Sequence, residues 1–433
     1  MTTLEAFNPT EISLGDESLF ETGRPHEVFR YLRNNDPVHW NPGNERIKGW
    51  WDVTRYEDVV FVSRHTDVFS SEQGIIMYEP VDPEEALAAS AGNGKMLITM
   101  DPPRHVRLRR LVNKGFTPRA VAAMEPHIRE IVKGLIDDIA PKGRVDFVTE
   151  VAAQLPLAVI CEMMGVPKSD WKLMFELTNK VLGGGDPEYQ TDAPEELRGT
   201  DEGARIAGNM GTMQMFGYFA QTLQARRADR KDDLVSLLTE ADVDGEALSD
   251  EDILWFCFLL ILAGNETTRN AISGGLMTLC EHPAERARLQ ADLSLLPVAV
   301  EEIIRYVSPV MHMARWATRD AEIAGVKIAQ GERVVMWYPS VNRDERMFLD
   351  GDVFNITRSP NDHLAFGIGE HFCLGAGFAR LELRLMFEEL FTRLPDIELD
   401  GPPERLRSTF IGGIKHLPVK FTPRYRARGP VLL

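Results

Sequence analysis

The chain has 433 residues, 44% apolar and 26% charged, and its 48 Lys and Arg against 66 Asp and Glu leave a net charge of −18. This is the composition of a globular protein with a sizeable core. The acidic balance argues against nucleic acid as the main partner, because phosphate binding needs clustered positive charge.

The first twenty residues carry no basic segment followed by an apolar stretch, so no secretory signal is expected. Cys161, Cys257, Cys280 and Cys373 are too widely and unevenly spaced for a disulfide framework or a zinc knuckle, which predicts a reducing, cytoplasmic setting. No low-complexity linker or internal repeat divides the chain, so a single domain over 1–433 is expected.

In chain order, Val38-His39-Trp40 and Trp50-Trp51-Asp52-Val53 predict a β part near 38–62. The segment Asp101-Pro102-Pro103-Arg104-His105-Val106-Arg107-Leu108-Arg109 follows, and its His105 and Arg109, four apart, share a helix face. Arg104, Arg107, Arg110, Lys114 and Arg119 read as a solvated basic face, a positive island on an acidic protein. Helical periodicity marks Val121 to Ile139 and Leu234 to Leu238.

A long helix is predicted from Ser249, which caps an acidic first turn of Asp250, Glu251 and Asp252, with no proline before Pro283. It would run roughly 45–50 Å. Being apolar on nearly all sides, it belongs at the protein centre. Its apolar run, Ile253 to Gly264, falls short of the ~20 residues a membrane span needs. The run breaks into Ala263-Gly264-Asn265-Glu266-Thr267-Thr268-Arg269-Asn270. Thr267 can bond back to the carbonyl of Ala263 and loosen the helical ladder beside Gly264, leaving a groove toward which Glu266 can move protons. A polar kink without chemistry is the plainer alternative.

Glu302-Ile303-Ile304-Arg305 places two opposite charges on one helix face, a spacing worth only a few tenths of a kcal/mol at a surface. Ala321 to Trp337, with turns at Gly325 and Gly331, predicts a second β part over 320–340. The loop from Phe366 to Gly375 delivers Cys373 to the start of a helix, Leu374 to Leu390, where backbone N–H groups and the helix dipole favour thiolate. Gly367, Gly369 and Gly375 allow close backbone approach to a flat ligand. From these residues alone Cys373 is a nucleophile, a metal ligand or a core thiol, and the other three cysteines are core. The chain reads as mainly α with a small β part.

The pattern Phe366-x-x-Gly369-x-His371-x-Cys373-x-Gly375 resembles the haem-binding loop of the cytochrome P-450 superfamily. Ala263-Gly264-x-Glu266-Thr267, Glu302-x-x-Arg305 and the His105–Arg109 segment fall in the family's order and approximate spacing, so the similarity covers nearly the whole chain. The resemblance implies a cytochrome P-450 fold with its long central helix over haem b. It implies Cys373 as the iron ligand, with Glu266 and Thr267 managing protons for O2. His105, Arg109, Arg315 and His371 would hold the haem propionates, and Phe366, Gly367, Gly375 and Gly264 would lie against the cofactor. Glu302 and Arg305 become a buried lock beneath the haem loop. One position departs from the family: an arginine often precedes the phenylalanine matched by Phe354, and here Val353 stands there, leaving Arg358 as the candidate to complete the network.

By the same resemblance, the substrate pocket is lined from 70–96, the helices between about 173 and 219, the long helix, the strand after Pro309 and a late turn at 411–413. Ile76, Met77, Leu182, Met213, Leu262, Ala263, Val310, Met311 and Ile411 are the candidate contacts, and their character implies a hydrophobic, uncharged substrate. The chain is similar to soluble bacterial hydroxylases of sterol side chains, methyl-branched lipids and terpenoids. It carries no flavin or iron–sulfur module, so electrons from NAD(P)H must arrive through a separate reductase and ferredoxin. The basic island is the expected dock for an acidic ferredoxin. A peroxide-driven peroxygenase is the enzymatic alternative, although such relatives typically replace the acid–alcohol pair. A non-catalytic haem binder or sensor is the other, and no appended signalling domain supports it.

Overall fold

The computed structural model describes residues 13–21, 23, 25–45, 47–82, 90, 92–243 and 246–424. Helices dominate, with small sheets, as the sequence predicts. Those that build the centre are α1 (Arg104–Val112), α2 (Pro118–Ile139), α3 (Gln154–Met163), α4 (Trp171–Leu182), α5 (Asp201–Ala228), α6 (Asp250–Glu281), α7 (Leu296–Val307) and α8 (Ala376–Arg393).

Local chemistry sets their limits. Ser249 caps α6 by accepting from the Asp252 N–H at 3.1 Å, three acidic residues sit at the positive helix end, and the helix stops at His282 before a proline. Its 32 residues span about 48 Å. Thr117 caps α2 in the same way, with Pro118 in the first turn. The helix expected from Leu374 begins at Ala376 and continues to Arg393.

Two apolar cores grip α6 at different places. Ile253 to Leu262 pack with α4 and α5, against Met174, Leu177, Met215 and Phe219. Ala271 to Leu279 pack with α2, α7 and α8, against Ile136, Ile303, Leu385 and Phe387. The polar interval 263–270 lies between them. No helix among the described residues is long and apolar enough to cross a membrane.

The largest sheet joins distant segments. Its strands are β1 (Val38–Gly43), β2 (Lys48–Val53), β3 (Phe69–Ser70), β4 (His312–Ala317) and β5 (Arg333–Trp337), in the order β1-β2-β5-β4-β3. Only the β2–β5 pair is parallel, with Val335 opposite Asp52; Val334 faces Arg315 across β4. The β part expected near 38–62 ends at Val53. Tyr56–Arg64 is helical because Asp58, Val59, Val62 and Ser63 bury one helical face. In the 320–340 region the short hairpin 321–328 precedes β5, while the neighbouring strand β4 begins earlier, at His312.

Candidate active site

The loop before α8 is shaped by its glycines. Gly367 and Gly369 take φ of 68° and 77°, a region that L side chains avoid, and a Cβ on Gly369 would lie 3.1 Å from the Ser63 carbonyl. The Cys373 N–H donates to the Phe366 carbonyl at 2.8 Å, closing the loop. Burial pushes the Cys373 thiol up, opposed by the Gly375 and Ala376 N–H groups and by Arg109 and Arg380. Arg380, which sequence reasoning missed, lies 4.6 Å over the Phe366 ring and pairs with Glu301 at 2.7 and 2.8 Å. Burial raises the Glu301 carboxyl, but His363 and Arg380 outweigh it and hold it at about 2.

His105 and Arg109 on α1, Arg315 on β4 and His371 in the loop converge. The two imidazoles are 4.3 Å apart, and Arg109 donates to the carbonyls of Glu370 (2.9 Å) and Phe372. His371 accepts or donates at 3.3 Å with the Ser71 hydroxyl. Burial lowers His371 to about 2, reinforced by Arg315, and lowers His105 to about 4, reinforced by Arg109. Nδ1 of His105 and Nε of Arg315 are buried with no partner. A concentration of positive charge holding unpaired buried donors is complete only with an anionic ligand, and a pair of carboxylates has the required chemistry. The residues present therefore fit haem b with its propionates.

In the polar interval of α6, Thr267 donates to the Ala263 carbonyl at 2.9 Å, as expected from its i−4 position. Ala263 is exposed although the flanking turns are buried, so this segment borders open space. Gly264 is turned elsewhere: a Cβ there would lie 3.1 Å from Ile160, and its lack of a side chain lets α6 approach α3. The exposed position in this segment is therefore Ala263 and not Gly264, the residue beside which the sequence predicts a groove. Glu266 is fully buried and paired with Arg269, with Oε1 unpartnered; burial raises its carboxyl against the pull of Arg269. Arg269 donates to Asn179 Oδ1 on α4 at 2.8 Å, and Asn265 donates to Thr178 at 3.0 Å. The i,i+3 spacing of Glu266 and Arg269, the same as that of Glu302 and Arg305, is the sequence signal for this pair.

Glu302 and Arg305 are buried on α7 and joined by two 2.8 Å hydrogen bonds. Arg305 also donates to the carbonyls of Asn342 and Gly351 at 2.6 and 2.7 Å. Glu302 accepts from Arg358 Nε at 3.1 Å and from the Asn355 N–H at 2.8 Å, so Arg358 is the further partner. Val353 contributes its carbonyl, to Arg358 at 2.8 Å.

The substrate-side candidates divide. Val310 and Ile411 pair across an isolated bridge, with Val310 half-buried. Leu182 is half-buried among α4, α5 and α6, and Leu262 is buried with them. Met311 and Met77 are buried together under the sheet with Trp337, so Met77 is a core residue. Ile76 is 43% exposed. Met213 is 64% exposed, because α5 buries the row Gly203, Ala207, Gly211, Met215, Phe219 and Leu223 and Met213 projects from the other side. Cys373 also borders a cleft of about 760 Å³, shared with Arg109, Phe372, Gly377, Arg380 and Arg384. All five residues of the basic island, Arg104, Arg107, Arg110, Lys114 and Arg119, are exposed, and Arg104 pairs with Asp252 at 2.8 Å, at the start of α6. Of the other cysteines, Cys161 and Cys257 are buried, and burial pushes both thiols up to about 12.

Comparison with known proteins agrees with this geometry. The family model "Cytochrome P450" matches residues 211–395. The chain is 43% identical to a methyl-branched lipid omega-hydroxylase of Mycobacterium tuberculosis over 405 residues, covering 91% of this chain and 90% of that protein. It is 37% identical to a steroid C26-monooxygenase of Mycolicibacterium smegmatis, covering 96% and 94%. A Mycobacterium marinum cytochrome P450 in complex with pseudoionone superposes with a TM-score of 0.84 at 37% identity, over 94% of this chain and 97% of that one. A thiol presented by a glycine loop, a cationic cradle for carboxylates and identity sustained along the chain lead to one conclusion: it belongs to the cytochrome P450 family, as a monooxygenase that uses haem b, O2 and electrons passed from NAD(P)H through redox partners.

Proposed function

We propose that this enzyme hydroxylates an unactivated C–H bond of a methyl-branched lipid or a sterol side chain, with the whole chain, 1–433, acting as one catalytic unit. The observation that carries the site is Arg109, which bridges the loop carbonyls beside Cys373 while sharing a cluster with His105, Arg315 and His371. Haem b, when bound, supplies the redox chemistry that divides O2 and delivers one oxygen atom to carbon. Cys373 is the thiolate ligand, and its loop holds the sulfur with Phe366, Gly367 and Gly375 against the cofactor. His105 and His371, neutral because buried beside arginines, donate hydrogen bonds to propionates, while Arg109 and Arg315 supply the countercharge. Thr267 and Glu266 move protons into the space beside Ala263, with Thr267 freed for this by exchanging its bond to the Ala263 carbonyl. Leu182, Leu262, Ala263, Val310 and Ile411, with Ile76 at the mouth, form the apolar wall that orients substrate, and Met311, buried with Met77, backs it from the core.

The substrate class is supported by the two relatives named above, whose reactions are an omega-hydroxylation and a steroid C26 oxidation. An acidic ferredoxin docks at the cleft beside Cys373, where Arg380 and Arg384 join exposed Arg107, Arg110, Lys114 and Arg119, and the setting is cytoplasmic. The test is a panel of methyl-branched fatty acids, sterols and terpenes, scored by low-to-high spin shift and then by product with a reconstituted ferredoxin and reductase. Hydroxylated product from branched lipids or sterols is expected. A panel without spin shift or product in those two classes refutes the assignment.

A further inference from the structure

The strand entry Pro309–Met311 and the turn Phe410–Gly412 lie back to back. The Met311 N–H donates to the Phe410 carbonyl and the Gly412 N–H to the Pro309 carbonyl, both at 2.8 Å, while Val310 bridges Ile411. As bridge partners Val310 and Ile411 stand side by side on one face, Val310 half-buried and Ile411 buried, so the turn and the strand entry make one continuous stretch of wall.

Against Gly412 and Ile414 lies a cavity of about 170 Å³, lined also by Gly274 and Val307 and by the charged Glu281, Arg343 and Arg405. Close packing normally fixes such a segment. With a cavity on one side, its position depends on hydrogen bonds: the two to Pro309 and Met311 at one edge, and one to Asn270 at the other. Fully buried on α6, Asn270 donates from Nδ2 to the Glu266 carbonyl at 2.9 Å and accepts at Oδ1 from the Ile414 N–H at 3.1 Å. One amide thus ties the end of the turn to the helical turn that carries Glu266. Gly413 permits the approach: a Cβ there would stand 3.0 Å from Leu406 and 3.4 Å from Asn270.

We propose that Asn270 is a positioning residue that sets the depth of the substrate pocket, by holding the turn Phe410–Gly413 forward of the cavity behind it. This rests on the reading that Val310 and Ile411 line the pocket. With the tether intact the wall is firm and suits a slender chain. Without it the turn settles toward the cavity and the pocket deepens, loosening its hold on slender substrates and giving room to bulky ones.

The experiment uses the haem-loaded full chain with two substitutions, Asn270→Ala and Asn270→Ser. Serine keeps a back-bond to the Glu266 carbonyl but cannot reach the Ile414 N–H. Spin-shift Kd values for a methyl-branched fatty acid and for a sterol are measured in each. In both variants the ratio of affinities is expected to move about tenfold toward the sterol, the scale of one buried hydrogen bond lost. The Ile414 amide is expected to exchange with deuterium about tenfold faster. A lower melting temperature with an unchanged ratio identifies a structural role only and overturns the proposal. A shift in Asn270→Ala but not in Asn270→Ser also overturns it, by assigning the effect to the bond within α6. Ile411→Phe separates the two readings: if it changes both affinities while the Asn270 variants do not, the tether alone is refuted; if it changes neither, the pocket assignment fails and the tether with it.

Discussion

Arg305 grips Glu302 through two parallel hydrogen bonds of 2.8 Å, with both side chains fully shielded from water. Removing Arg305 strips Glu302 of both bonds, leaving it Arg358 and the Asn355 N–H, and deprives the buried carbonyls of Asn342 and Gly351 of their donor. Arg305→Leu is expected to cost about 3–5 kcal/mol of stability and to yield protein that fails to retain haem. Arg358→Leu should cost less, because Glu302 keeps Arg305 and the Asn355 N–H. Thermal denaturation with haem content of the purified variants checks the order.

Cys373→Ser is expected to abolish the red-shifted Soret band of the reduced, carbon monoxide-treated protein. Cys161→Ser, at a buried thiol of the α4–α5–α6 core, should leave that band in place. A thiolate-type band persisting in Cys373→Ser would overturn the ligand assignment.

Thr267→Ala removes the hydroxyl beside exposed Ala263 but little packing. Product formed per NAD(P)H consumed should drop on the order of tenfold, with substrate spin shift and haem content preserved. Coupling equal to that of the parent would remove Thr267 from the proton path.

Glu382 lies buried on α8 with Oε2 unpartnered, and burial alone pushes its carboxyl up to about 8. The folded chain therefore keeps a proton that the unfolded chain releases near pH 4.5. Its contribution is fully present below that pH and declines through the window up to about 8, by about 1.4 kcal/mol per pH unit. Glu382→Gln should flatten the fall in stability with rising pH across this window, as read from denaturant melts at several pH values.

Lys114→Glu and Arg110→Glu reverse exposed charges near the cleft at Cys373. The KM for an acidic ferredoxin should rise about 3- to 10-fold at low salt and converge with the parent at high salt, while the carbon monoxide spectrum stays the same. Parental kinetics at low salt would place the dock elsewhere.

Features encoded by neighbours along the chain are legible from the residues alone. The Ser249 cap, the acidic first turn, the Thr267 back-bond and the Glu302–Arg305 pair each depend on residues within four positions of one another. Features set by tertiary contact are harder to read. Nothing local says that Arg104 turns to Asp252 or that Gly264 turns to Ile160. Met213 misleads because the resemblance to the family assigns the stretch 173–219 to the pocket, whereas the row that α5 buries is chosen by the elements packed against it. Arg358 is a candidate because of a gap in the family's pattern, and only the folded chain brings it within 3.1 Å of Glu302.

The long central helix is clamped by a separate apolar core at either end, like a beam fixed at both supports. Mid-span residues can then be exchanged while the anchorage holds. Selection can retune chemistry over 263–270 without dismantling the scaffold, and one architecture can in this way serve lineages that oxidise very different molecules.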